Sequence, residues 1–190
     1  YFIPFIMLVR MSFQRSAINS EFVGFYNYEI ILTNDAFIKA CTNTGIFTAA
    51  TVPLGVIISL ILALILNSKI PAKSVFRSIL LTPMMVPVAS IVLIWQVFFS
   101  YNGVLNGWLA ELFNMDRIDW MKDEGGRVII VLLFIWKNLG LNIILFLSAL
   151  NNIPSEIVES SFMDGCGVVR RFFSIKLYYL GPTAFFVAIM

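Results

Sequence analysis

The acidic side chains Glu156, Glu159 and Asp164 are the groups with which this chain could do something specific. They fall together in Ile153-Pro154-Ser155-Glu156-Ile157-Val158-Glu159-Ser160-Ser161-Phe162-Met163-Asp164-Gly165-Cys166-Gly167, a polar island between two apolar runs. Histidine is absent, which removes the commonest metal ligand and general base, and Cys41 and Cys166 stand alone without a zinc spacing. No metal, no cofactor and no catalytic centre is therefore expected. Carboxylates displayed on one face of a helix can dock. Pro154 and Ser155 favour a helix start, and Glu156 falls in the first turn, where negative charge meets the positive end of the helix dipole. Gly165 and Gly167 permit the backbone angles that end a helix. Val168, Val169, Phe172 and Phe173 then recur at helical spacing opposite Arg170 and Arg171. The pattern predicts helix, glycine turn, helix. On the first helix Val158 and Phe162 share a face that packs, while Glu156, Glu159 and Met163 occupy one that docks.

A second group of candidates lies in an apolar run. Lys137 is the one charge well inside residues 128–150, about 14 Å along a helix that starts at Val128. If that run crosses a bilayer, the charge costs about 2.5–3.5 kcal/mol and must face protein, a partner or water. Asn138 beside it and Asn142 four residues on extend a polar seam. Two readings stay open: a structural, hydrogen-bonded lysine, or a residue on a solute pathway. Trp95 and Trp136 join the candidates because an indole N–H is costly to bury without an acceptor. The remaining aromatic residues, 18 Phe among them, are read as lipid contact and helix packing.

These residues must be positioned by membrane helices. Hydrophobic residues make up 59% of the chain and the mean hydropathy is +0.89, above the roughly half-apolar composition of soluble domains. A net charge of +2 without runs of one sign gives no basis for nucleic-acid binding. Residues 45–66 carry no charge and as a helix reach about 33 Å, enough for a bilayer core of about 30 Å. Further spans are expected at 78–100, 128–150 and, in part, 177–190. Pro83 and Pro87 predict a bent or broken second span, either as an ordinary kink or because backbone there lines a cavity. Residues 1–13 make a short apolar run without the basic flank or cleavage site of a signal peptide, so a first span cut short is expected, with both ends of the chain truncated. Bases are denser in 67–77 (Lys69, Lys73, Arg77) and 151–176 (Arg170, Arg171, Lys176) than in 14–44 and 101–127. By the positive-inside rule the first pair of loops is cytoplasmic, the second pair extracytoplasmic, and the N terminus inside. Cys41 and Cys166 then lie on opposite sides and cannot pair. In the outer loop 101–127, Val104, Trp108 and Leu112 form one side of a short interfacial helix, with Trp108 and Trp120 at headgroup level.

On the polar island the chain resembles the inner-membrane permease subunits of binding-protein-dependent ABC importers, whose cytoplasmic loop reads Glu-Ala-Ala, three residues, Gly, nine residues, Ile-x-Leu-Pro. Glu159-Ser160-Ser161 stands for Glu-Ala-Ala, Gly165 for the glycine, and Ile175-Lys176-Leu177-Tyr178 for the closing element, where Tyr178 replaces the proline. Asp164-Gly165-Cys166 resembles the Asp-Gly-Ala of carbohydrate-type members, and Phe22-Val23-Gly24-Phe25-Tyr26-Asn27-Tyr28 is similar to a stretch before the second span of glycerol-phosphate and lactose-type permeases.

The resemblance implies an all-α, polytopic membrane protein of the type I ABC importer permease fold. It divides the chain into a partial first helix at 1–13, an extracytoplasmic loop at 14–44 and a permease core at 45–190 with a cytoplasmic coupling loop at 151–176. The implied coupling residues are Glu156, Glu159, Ser160, Ser161, Asp164 and Gly165, with Glu159 as the contact residue on the ATPase. The implied partners are ATP-binding ABC subunits, a second permease, an extracytoplasmic solute-binding protein and membrane lipid, in the plasma (inner) membrane of a prokaryote, with a sugar as solute. The rival expectations are a secondary transporter or channel built on Lys137 and the proline-broken helix, and a non-transporting scaffold.

Overall fold

The computed structural model describes residues 1–16, 18–68 and 73–190, apart from the side chains of Asp123 and Glu124. Its described residues are mostly helical, with one isolated β-bridge, and they form two compact units, Tyr1–Thr48 and Ala49–Met190. The helices are α1 (Phe2–Ser12), α2 (Tyr26–Thr33), α3 (Asp35–Asn67), α4 (Lys73–Met85), α5 (Val88–Phe99), α6 (Val104–Phe113), α7 (Asp123–Asn151), α8 (Ser155–Met163), α9 (Val168–Arg171) and α10 (Leu177–Ile189). Between α9 and α10 the π-helical turn Phe172–Lys176 keeps the chain helical from Val168 to Ile189. Helix therefore runs on through Tyr178, where the family motif has proline.

In the first unit, the segment Phe22–Tyr28 closes the end of α1. The Asn27 side-chain amide donates to the carbonyls of Ser12 (2.9 Å) and Gln14 (2.8 Å), which the end of α1 leaves without helical partners. Gly24 sits at φ +58, an angle that glycine adopts without steric cost. The turn folds Phe22, Phe25 and Tyr28 around the Phe13 ring, with centroids 5.4–6.2 Å apart. The residues expected to form a loop before the first full span thus make a compact aromatic corner. Helix α3 also begins at Asp35, ten residues before the predicted span start at 45. Asp35, Lys39 and the polar run Cys41–Thr44 hid that start, because helix can continue past the apolar stretch where polar side chains are exposed.

In the second unit α3, α7 and α10 share a core of Ala63, Leu66, Ile143, Phe146, Leu147, Leu150, Leu180 and Val187. The predicted break in the second span is present: α4 ends at Met85, Pro87 caps α5, and Pro83 is accommodated inside α4. Pro87 has no N–H to continue the ladder, so the chain changes direction there. The helix before the break starts at Lys73, so Lys73 and Arg77 of the predicted basic loop are helical, while Lys69 of that loop lies outside the described residues. Helix α4 packs on α7 through Gly140, where an added Cβ would run into the Leu80 carbonyl and the Leu81 Cα. Among the described residues four stretches have the length and composition to cross a membrane: Asp35–Asn67, Val88–Phe113, Gly125–Asn151 and Val168–Ile189. The second of them contains the turn between α5 and α6. Helix α5 alone reaches about 18 Å, so a crossing here needs residues from a neighbouring segment. Leu93, Ile94 and Val97 of α5 are each more than 60% exposed, an apolar surface suited to hydrocarbon and not to water.

Candidate functional site

The polar island folds as its sequence pattern predicts. Helix α8 starts at Ser155 after Pro154, with Glu156 in its first turn, and ends in a Schellman turn. There the Gly165 N–H donates to the Phe162 carbonyl (3.0 Å) and the Cys166 N–H to the Ser161 carbonyl (2.9 Å), with Gly165 at φ +67. Gly167 has φ −63 and ψ 161, ordinary extended backbone that any residue adopts, so only one of the two glycines uses the left-handed region. The exposed side of α8 carries Glu156, Glu159, Ser160 and Met163, followed by Asp164 and Gly165.

Two expectations about the faces of this segment are corrected. Ser161, placed with the docking residues, is 5% exposed, and its hydroxyl donates to the Val158 carbonyl at 2.6 Å. It belongs to the packed side with the half-buried Ile157 and Val158. Phe162, expected to pack, is instead 60% exposed, with the Arg171 guanidinium 3.4 Å from its ring centroid. After the turn the pattern is inverted from that of a water-soluble helix: Val168, Val169 and Phe173 are exposed, and Arg171 is 8% exposed. Arg171 Nη2 donates to the Cys166 carbonyl at 2.6 Å. Burial of this arginine could not be read from periodicity, because its stacking partner lies across the glycine turn.

The second candidate group is only partly brought together. Trp95 of α5 and Trp136 of α7 meet, with ring centroids 5.9 Å apart. Lys137 Nζ donates to the Val86 carbonyl at 3.4 Å, the carbonyl that the break between α4 and α5 leaves outside either helix. Asn138 turns back on its own helix, donating to the Phe134 carbonyl at 2.8 Å. Asn142 is buried, and its Oδ1 has no hydrogen-bond partner among the described residues. The polar seam is thus three separate arrangements, of which the lysine and the break form one.

In the loop between α5 and α7, helix α6 forms as expected, with Val104, Trp108 and Leu112 all exposed. The residue that organises this loop, Asn106, has no signal in the sequence. Fully buried, it donates to the carbonyls of Ser100, Tyr101 and Ile118 and accepts from the Ile118 N–H and the Trp120 indole N–H. A lone asparagine in a helical pattern reads as a surface residue until the fold folds a loop back over it.

Comparison with known proteins places these features among relatives. Residues 55–190 match the family model described as "Binding-protein-dependent transport system inner membrane component". The arabinooligosaccharides transport system permease protein AraP of Halalkalibacterium halodurans is 35% identical over 98% of this chain and 60% of its own length. The multiple sugar-binding transport system permease protein MsmF of Streptococcus mutans is 33% identical over 90% of this chain and 59% of its own. The sn-glycerol-3-phosphate transport system permease protein UgpA of Pectobacterium atrosepticum is 31% identical over 91% and 59%. The chain therefore spans about three fifths of the length of the curated relatives it matches. Among solved structures, a chain of a bacterial alginate ABC transporter, in complex with its alginate pentasaccharide-bound periplasmic protein, superimposes with a TM-score of 0.82. The match has 24% identity and covers 96% of this chain and 62% of that one, a likeness of fold.

Proposed function

This chain belongs to the family of binding-protein-dependent transport system inner membrane components, and from that premise we propose that it is the permease subunit of an ATP-driven importer for a sugar or sugar derivative. It is a multi-pass, all-α membrane protein with the fold of an ABC importer permease. ATP is hydrolysed on separate ATP-binding subunits, a second permease completes the pathway, and an extracytoplasmic binding protein delivers the solute. The names of the relatives, which concern arabinooligosaccharides, multiple sugars and glycerol phosphate, support the solute class.

The observation that carries the proposal is α8: a short helix with Glu156, Glu159, Ser160 and Asp164 exposed, ended by a Schellman turn at Gly165, within the matched region. Glu159 on this face is the contact with the ATP-binding subunit, and Ser161 supports the helix from its packed side. Nucleotide binding closes the ATPases and moves α8 as a rigid body. The Val168–Ile189 helix and α7, which share a core, follow it between inward- and outward-open states. The density of bases supports a cytoplasmic side for α8 and the N terminus and an outer side for the α5–α7 loop. Lys137, bound to Val86, is a positioning residue for the bend between α4 and α5 and not a solute ligand.

The test is reconstitution of the full-length subunit with its second permease, ATP-binding subunits and binding protein, followed by a screen of labelled saccharides. The expected result is that one class of saccharide both stimulates ATP hydrolysis and accumulates. Accumulation without the ATP-binding subunits would make the chain a secondary carrier, and hydrolysis without accumulation of any saccharide would make it a scaffold.

A further inference from the structure

The turn that joins α8 to the following helix is soft by composition. Gly165-Cys166-Gly167 holds two glycines in three residues, and its backbone passes from the left-handed region to an extended conformation. The Schellman bonds tie Gly165 and Cys166 to α8, so displacement of α8 would be absorbed between Cys166 and the next helix unless something bridges that step. Arg171 bridges it. One face of its guanidinium lies on the Phe162 ring of α8 at 3.4 Å, and Nη2 holds the Cys166 carbonyl inside the turn at 2.6 Å. Its backbone is in the first turn of the next helix, its N–H bonded to the Gly167 carbonyl at 2.9 Å. Three consecutive pieces, α8, the turn and α9, are tied by one planar cation that is 8% exposed. Burial of a cation near the protein surface is costly, and a stacked arginine is favoured over lysine there because its flat, weakly hydrated head stacks and donates at once. A residue needed only for solubility would leave the guanidinium in water.

We propose that Arg171, stacked on Phe162, is a positioning residue that stiffens the glycine turn, so that movement of the Glu159 face reaches the Val168–Ile189 helix and is not lost at Gly165–Gly167. This rests on the proposal that α8 docks on the ATP-binding subunit. The prediction is specific to transmission: weakening the stack leaves docking and hydrolysis in place but lowers solute moved per ATP.

The experiment uses the reconstituted full complex and three readouts: co-purification of the ATP-binding subunits, ATP hydrolysis, and saccharide accumulated per ATP. Arg171→Leu and Phe162→Leu are expected to keep co-purification and hydrolysis and to lower accumulation per ATP by about tenfold, the scale of one desolvated cation–π contact. The double variant falls no further than Arg171→Leu alone, because that variant already removes the contact with Phe162. Arg171→Lys, which keeps the charge without the plane, falls between, and Phe162→Tyr keeps coupling. Should Arg171→Leu not fold, Phe162→Leu and Arg171→Lys carry the same comparison. Unchanged accumulation per ATP in these variants, or a loss that appears only as failure to co-purify, overturns the proposal. Glu159→Lys separates the two levels: if it leaves co-purification and coupling intact, the docking role of α8 fails whatever Arg171 does.

Discussion

Two interruptions of helix, the proline break between α4 and α5 and the glycine turn after α8, are held in the same way and differ in what that holding does. In each, a basic side chain donates to a main-chain carbonyl: Lys137 to Val86 at 3.4 Å and Arg171 to Cys166 at 2.6 Å. The lysine reaches from α7, a helix distant in sequence, onto a bend that Pro87 already makes stiff. The arginine reaches back five residues onto a turn that two glycines leave soft. The first tie fixes a bend within apolar surroundings, where an unbonded carbonyl is expensive. In the proposed coupling, the second makes a lever of a segment whose outer face is exposed and acidic. A proline interruption needs its orphaned groups satisfied, whereas a glycine interruption needs its freedom removed.

The largest effect that would sharpen this contrast comes from Glu159→Lys. Losing a desolvated charge at a protein interface and inverting it costs about 2–5 kcal/mol, so solute uptake by the complex should fall by roughly a hundredfold, with restoration by a compensating acidic change on the ATP-binding subunit. Wild-type uptake would remove α8 from the lever. Next is Gly140→Ala, which drives a methyl group into the Leu80 carbonyl where α7 packs on α4. Overpacking of this kind costs about 1–3 kcal/mol, visible as a lower unfolding temperature of the purified subunit in detergent.

The two glycines of the turn give a smaller, internally controlled comparison. Neither has an atom within 4 Å of an added Cβ, so only backbone conformation differs between them. Gly165→Ala, at φ +67, should destabilise by about 1–2 kcal/mol. Gly167→Ala should be neutral or stabilising by at most about 1 kcal/mol. Equal effects in thermal unfolding would contradict the Schellman geometry. The smallest net effect is expected for Lys137→Leu. It frees the Val86 carbonyl, at about 1–3 kcal/mol, but removes a charge whose burial in a membrane costs about 2.5–3.5 kcal/mol. The two offset, so folding should change little, expression should hold or improve, and uptake should fall at most a few-fold. A hundredfold loss of uptake with intact folding would place Lys137 on the solute route.

How much of this was legible in sequence follows from what each signal depends on. The start of α8 after Pro154, its end at Gly165 and the break near Pro87 depend on local backbone chemistry, and all three are where the residues place them. The apolar runs at 45–66 and 128–150 lie inside α3 and α7 but do not mark their ends: α3 begins at Asp35, where exposed polar residues such as Asp35 and Lys39 leave the apolar run shorter than the helix, and α7 begins at Asp123. What periodicity could not supply were contacts between separate elements. Arg171 looked solvent-facing until Phe162 was placed beside it, Ser161 looked available until its side of α8 packed, and Asn106 and Gly140 gave no sign of what they would meet. Of the residues proposed for coupling, the exposed acids were legible from charge and spacing, and the residue that would make them mechanically useful was not.

The central claim is that the face of α8 lies on the cytoplasmic side and is open to a partner. The most direct measurement is labelling of Glu159→Cys, in a full-length subunit with its native cysteines, Cys41 and Cys166 among them, replaced by serine, with a membrane-impermeant maleimide. The expected result is labelling in inside-out vesicles, blocked when the ATP-binding subunits are bound, and none in intact cells. Labelling from outside intact cells, or none from either side, would contradict the account.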